Sequence, residues 1–358
     1  MAYATINKPS ASSFSATQWA GNGGTQDVAV GFDPDFIWIK SYGGSTEHHL
    51  VSRVSGFGSG SSNTPNLSTN GTDGDYNRNI FTAAPSGGNL KLGDYSDTNA
   101  NGTNHVGFCW KAGSTVATNN EGSINGVSVS ASEATGVSIM RYTGNATDGA
   151  TIGHGLAGAP EMLIGKKSSA SGDDWFIYHK AIGAANTVRF GTGAAASNDS
   201  YDGADPTATT IALGNTGGMN TNGATHQIIA FQSIKGFSKV GSFIGNNNAI
   251  GSYVWCGFKP AWIMFKNSST TNSNHDWIIM DNAQNTEATS NPFDAFVKAN
   301  ETAAQTTSGR NEVDFLSNGF RCRTSYGDIN GGSNARHIFL AFAESPVVST
   351  NGVPATAK

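Results

Sequence analysis

Three observations predict an all-β chain made of three tandem, related, antiparallel β-sandwich-like units. The first is a stretch that the sequence repeats. Gly31-Phe32-Asp33-Pro34-Asp35-Phe36-Ile37-Trp38-Ile39-Lys40 returns as Ala159-Pro160-Glu161-Met162-Leu163-Ile164-Gly165-Lys166, and again as Gly257-Phe258-Lys259-Pro260-Ala261-Trp262-Ile263-Met264-Phe265-Lys266. Each copy has a proline six residues before a lysine, with mostly apolar residues between. That pattern is a turn feeding a short buried strand, and the lysine reads as a solvated cation at its end. The second observation is the scarcity of helix signals. The best candidate helix is Pro292 to Ala304, with Asn291 as N-cap and Pro292 at the first helical position. The third is composition: 46 glycines and only 13% charged residues in 358, with 10% aromatics and a net charge of -5. Disordered chains combine few aromatics with high net charge, so many short strands joined by polar loops fit better.

The other elements recur around the proline-to-lysine strand. Upstream, Phe14 to Asn22, Val137 to Asn145 and Phe237 to Asn246 each end in Gly-Asn. They alternate apolar with small or polar residues, as a half-buried strand ended by a tight turn does, and Gly and Asn suit a turn that needs positive φ. Downstream, Asp174-Trp175-Phe176-Ile177-Tyr178 and Asp276-Trp277-Ile278-Ile279-Met280-Asp281 close a hairpin, where the first copy has His48-His49-Leu50-Val51. After a polar loop come Leu90-Lys91-Leu92-Gly93, Ile211-Ala212-Leu213-Gly214 and Gly319-Phe320-Arg321-Cys322. The closing strands begin at His105, His226 and His337. Constant order with variable spacing places change in the loops. The boundaries that follow are 1–112, 130–235 and 236–346, with a connector at 113–129 (one strand at Ile124–Ser130) and a tail at 347–358 that starts ordered and then frays. The units either close into a pseudo-three-fold disc or string out, which leaves a homo-oligomer open.

Several function classes are disfavoured. No Lys/Arg run supplies the basic footprint of a nucleic-acid binder. No apolar run reaches membrane-helix length, so no membrane insertion is expected, and Met1 to Trp19 lacks a signal-peptide pattern. Cys109, Cys256 and Cys322 are scattered; Cys109 takes the place of Ala230 and Ala341 in the aligned strands, as a small buried hydrophobe would. Neither Cys256 nor Cys322 has a nearby basic partner to generate a thiolate. Trp38, Trp110, Trp175 and Trp277 read as core anchors, each contributing about 3 kcal/mol on burial.

Motifs that could carry chemistry are weak. His105, His226 and His337 form a metal triad only if a three-fold axis gathers them, and strand-start histidines satisfying a turn carbonyl are the better reading. Gly153-His154-Gly155-Leu156-Ala157-Gly158 matches GxGxxG, but Ala159-Pro160 and a strand follow where a dinucleotide fingerprint needs a helix. Asp73-Gly74-Asp75-Tyr76-Asn77 resembles half a calcium loop, yet Arg78 and Ala84 stand where Gly and Glu are required. A solvated turn is the default there, and an irregular calcium site the alternative. Asp173, Asp174, Asp276 and Asp281 fall at strand ends, with Asp174 and Asp276 read as turn caps. No catalytic residue, metal or cofactor is assigned, and the chain is expected not to be an enzyme.

The combination of GFxPxxIxIK, YTGN, DWxIxD, a His-led closing strand, and the end Ala-Phe-Ala-Glu-Ser-Pro…Asn-Gly-Val-Pro-Ala-Thr-Ala-Lys resembles repeat proteins of tailed bacteriophages, especially from marine and freshwater hosts. The resemblance spans Phe14 to Lys358 and departs from the pattern at His48-His49 and at Lys167. It implies a virion structural or tail-fibre-like protein, assembled in the host cytoplasm and carried on the particle with other virion proteins. The leading expectation is an appendage that attaches to a host cell-surface glycan or protein. Its contact loops would be Ser41–Glu47, Gly56–Asn79, Gly191–Asp205 and Thr286–Arg310, with Tyr42, Asp73, Asp75, Tyr76, Tyr201 and Asp202 as candidate contacts. Tyr76 and Tyr201 would stack on sugar rings. The alternatives are a structural decoration or connector subunit and, less favoured, a polysaccharide depolymerase, whose two facing carboxylates the sequence cannot place.

Overall fold

The structure is a computed structural model, and it describes residues 6–7, 13–58, 63–191, 193–215, 218–269, 275–284, 291–307, 312–344 and 348–349. The chain is nearly all β and its strand pairings are antiparallel; Ser96–Asn99 is the one helix among the described residues. Three large sheets contain the same four-strand order: opening, closing, proline-to-lysine and hairpin strand. In the first sheet these are Phe14–Ala20, Asn104–Trp110, Phe36–Ser41 and His48–Ser52. In the second they are Val137–Thr143, Thr225–Phe231, Met162–Lys167 and Phe176–His179. In the third they are Ser238–Ile244, Arg336–Ala343, Pro260–Asn267 and Ile278–Asp281.

Each sheet buries both faces. One face of each enters a common interior, where Phe14, Trp110, Phe231, Trp262 and Phe342 meet. The rings pack at angles, as with Trp110 and Trp262, 5.6 Å apart at 86°. The other face packs under a smaller sheet. Its members are Gln26–Ala29, Asn89–Leu92 and Phe81–Ser86 for the first, Ala150–Gly153 with Thr210–Leu213 for the second, and Tyr253–Trp255, Gly319–Cys322 and Val313–Leu316 for the third. Burial on two sides explains why the proline-to-lysine strands are near-continuous apolar runs.

At one end of the common interior, Phe190 touches Trp38, Trp175 and Trp277 at 5.8, 5.5 and 5.5 Å. His48 holds the register position of Trp175 and Trp277, and Trp38 Nε1 donates to its Nδ1 at 2.8 Å. Hydrogen bonds tie the segments in a circle. Trp175 Nε1 donates to Ser68 O at 2.8 Å, Trp277 Nε1 to Arg189 O at 2.7 Å, and Lys40 Nζ to Thr302 O at 2.9 Å.

The lysines correct a sequence expectation. Lys40, Lys166 and Lys266 are fully buried and are not solvated cations. Each donates to a carbonyl of the loop that follows: Lys40 to Thr46, Lys166 to Asp173, Lys266 to His275. Burial lowers all three to about 8.

The Gly-Asn turns also have a different cause from the expected one. Gly21, Gly144 and Gly245 are not among the positive-φ glycines. A Cβ on Gly144 would lie 2.5 Å from Thr221 O, and one on Gly21 would lie 2.1 Å from Ala100 O, so close backbone approach demands glycine. Fully buried Asn99, Asn220 and Asn330 hold these turns, accepting the N–H of Asn22, Asn145 and Asn246 at 3.1, 2.8 and 3.2 Å.

The expected helix over Pro292 to Ala304 is instead a strand, Ala295–Lys298, which pairs with Ile278–Ile279 and extends the third sheet. Asn291 caps no helix; its side chain bonds both backbone groups of Phe315 at 2.7 and 2.8 Å. Tertiary pairing overrides the local cap signal. The connector contributes strands Ala117–Asn119 and Val127–Ser132, the second of which pairs along the opening strand Val137–Thr143. In the tail, Val348–Ser349 pairs with Ile6–Asn7.

Two outcomes are expected. Gly144→Ala should cost about 1–3 kcal/mol in denaturant unfolding, since backbone must shift; Gly191→Ala, which opens onto empty space, should be neutral within about 0.5 kcal/mol. Acid should destabilise the fold. Burial lowers His179, His226 and His337 from 6.5 to about 4, so the unfolded chain takes up protons first as pH falls. Their contribution is full above pH 6.5 and shrinks toward pH 4, by about 2 kcal/mol per imidazole at pH 5. Asp281, raised to about 6, titrates the other way and offsets about 1 kcal/mol. Urea midpoints at pH 7, 6 and 5 check this, and His226→Phe should flatten the slope.

Candidate functional site

Most residues expected to touch a receptor are engaged inside the molecule. Tyr201 is fully buried, its hydroxyl donating to Phe176 O at 2.8 Å, so it cannot stack on a sugar. It sits under the small sheet with Met140, Ile152 and Leu213. Asp75 pairs with Arg141 Nη2 at 2.6 Å, a contact between the first and second segments. Tyr76 is half-buried and donates to Glu47 Oε2 at 2.7 Å. Tyr42 is half-buried at the edge of the common interior, Asp202 is half-buried in a turn, and Asp73 is exposed. Within Gly56–Asn79, Ser68 and Thr69 bond Trp175 and the Ala299 carbonyl, so this loop joins segments. Residues 59–62, 192, 286–290 and 308–310 of the expected contact loops lie outside the described residues.

The other singled-out groups are structural. His105, His226 and His337 do not converge on one point. Each stacks on its direct cross-strand partner, Trp19, Tyr142 and Phe243, with centroids 5.7, 5.3 and 4.9 Å apart. Cys109, Cys256 and Cys322 are free and buried, and burial pushes the last two thiols up to about 12. No helix follows Gly153–Gly158. Asp174 pairs with Arg189, and Asp276 pairs with Lys298 and accepts from Asn300, so these carboxylates hold neighbouring strands and loops together.

An exposed aromatic pair lies elsewhere. Tyr253 and Trp255 point outward from the edge strand of the third small sheet, 48% and 59% exposed, while Val254 between them packs inward. Exposed Ile244 and Ile250 belong to the same segment. Between this strand and the opening strand Ser238–Ile244 runs a cleft of about 340 Å³, lined by Lys180, Lys239, Ser242, Tyr253, Trp255 and Phe339 among others. Lys239 Nζ lies 6.0 Å from the Trp255 ring centroid. The indole lies against Gly257, where a Cβ would come 3.1 Å from it, and a Cβ on Gly241 would come 2.6 Å from the buried Phe339 ring beneath the cleft. The other two sheets are an internal control. By register, Tyr253 and Trp255 correspond to Asp27 and Ala29 in the first segment and to Thr151 and Gly153 in the second. Packing therefore asks for no aromatic here. Sequence reasoning missed this pair; the signal was Tyr253-Val254-Trp255-Cys256, an alternation that puts large rings on the solvent side.

Such a cleft offers an aromatic face for the apolar side of a sugar ring, an ammonium for an acidic substituent, and a hydroxyl at Ser242. None of its lining residues is Asp or Glu, so it contains no facing carboxylate pair. Comparison with known proteins finds no match among curated proteins and none among solved structures. Residues 8–346 match a family described as a domain of unknown function, DUF7483. By its fit over nearly the whole chain, this protein belongs to the DUF7483 family.

Proposed function

We propose that this chain is an appendage protein of a bacteriophage virion that attaches to a surface glycan of the host through the Tyr253–Trp255 cleft. The observation that carries the reading is the exposed ring pair, present at one of three corresponding places and unexplained by packing. Stacking on an exposed indole is a common physical basis for holding a sugar ring, and Lys239 favours sugars with carboxylate, sulfate or phosphate groups. The sequence resemblance to tailed-phage repeat proteins supports the virion setting. The scaffold supports it too: one β module used three times around a shared interior holds a small site rigidly while loops vary. The lining without carboxylates favours binding over depolymerisation.

A purely structural subunit is the second reading, favoured by the edge position of Tyr253–Trp255 in its sheet, onto which another strand could add. Titration of the purified chain with acidic host-envelope polysaccharide separates the two. Trp255→Ala and Tyr253→Ala should each weaken binding about tenfold or more, near 1.4 kcal/mol, with thermal midpoints within about 2 °C of the parent because both rings are exposed. A parent chain that binds no envelope glycan, yet self-associates through this edge, would establish the structural reading.

A further inference from the structure

In the first segment, a histidine stands where the other two place a core hydrophobe. His49 pairs with Ile39, and its register partners in the second and third sheets are Phe176 and Ile278. His49 is fully buried. Two carboxylates converge on it: Glu47, two residues earlier, and Asp97 from the short helix Ser96–Asn99. One ligand atom of each of the three lies within 4.8 Å of the others.

The hydrogen bonds around His49 assign its ring nitrogens. Asn66 Nδ2 donates to Tyr76 O at 2.7 Å and Thr64 O at 3.3 Å, which turns Asn66 Oδ1 toward His49 Nδ1 at 2.9 Å. Nδ1 is therefore the donor. Nε2, on the far side of the ring, meets Asp97 Oδ2 at 3.4 Å, a contact bridged by a proton when the ring is charged and open to a metal ion when it is neutral. With the ring neutral, one imidazole nitrogen and two carboxylate oxygens face one partly buried place, where a divalent cation can take the position of that proton. The outer groups are arranged as supports. Tyr76 donates to Glu47 Oε2 at 2.7 Å, and Tyr95 donates to Asp97 Oδ2 at 3.3 Å. Arg78 stacks over both tyrosine rings at 4.7 and 5.7 Å, and so stands outside the donor set.

We infer that Glu47, His49 and Asp97 form a binding site for one divalent cation of the zinc type. One imidazole nitrogen and two carboxylate oxygens suit zinc, with a fourth position open to water or a ligand group. Donors about 2.0–2.1 Å from a zinc stand about 3.4 Å apart, and Glu47 and Asp97, which are only partly buried, have room to close from 4.8 Å. An amide oxygen on the second ring nitrogen is the kind of support that fixes a metal-binding histidine. The cation would join the hairpin strand to the helix that precedes the closing strand.

The test uses the full chain, stripped with EDTA and titrated calorimetrically with zinc chloride, with magnesium chloride as contrast. One zinc per chain is expected, with a higher thermal midpoint in zinc than in EDTA. Glu47→Gln and Asp97→Asn keep size and hydrogen bonding and should each weaken zinc at least tenfold while circular dichroism is unchanged. His275→Ala, at the separate His275–Asp328 pair, should leave zinc affinity unchanged. A parent chain that takes up no zinc overturns the inference, as does unchanged affinity in both carboxylate variants.

Discussion

The shared interior governs the structure. Three sheets each send one face into it, and Trp110, Trp262, Phe231, Phe342 and Phe14 fill the meeting place. A sheet covered by a small sheet outside and by its neighbours inside has no solvent face, so its central strands need no polar alternation. This also accounts for the buried lysines. A strand that ends beneath a returning loop puts its last side chain where water is excluded, and loop carbonyls take the place of hydration.

Much of this was legible in the sequence because packing repeats itself. The proline, the apolar run, the Gly-Asn stop and the His-led strand mark positions where backbone geometry leaves few options, and the observed strands fall on them. What stayed hidden was environment. Nothing local distinguishes a lysine under a loop from one in water, or Tyr201 under a small sheet from a tyrosine on a loop tip. Gly144 announced a special backbone position, but its neighbour across the turn, Thr221, lies 77 residues on, beyond any local pattern. Asn291-Pro292 reads locally as a helix start, and only the distant Phe315 backbone reveals the pairing that prevails.

The tryptophans show how one residue type divides between roles. Trp38, Trp110, Trp175, Trp262 and Trp277 are all buried, and their recurrence across segments is a matter of volume and stacking. Trp255 lies on a strand whose counterparts carry Ala29 and Gly153, so its size is not set by the packing that the segments share. His49 is the same argument in reverse, a polar group inserted where its counterparts are apolar. In a molecule that repeats its own plan, deviations of this kind are the places to look for purpose.

The circle of hydrogen bonds has a topological corollary. Backbone links the first segment to the second and the second to the third, whereas the third meets the first only through contacts such as Lys40 to Thr302 and His48 to Lys298. The uncrossed seam is nonetheless bonded by the same means as the two crossed ones. A peptide linker laid across that seam, with the backbone opened at another, would therefore keep every one of these contacts, because the order of the segments along the chain is separable from their order around the interior.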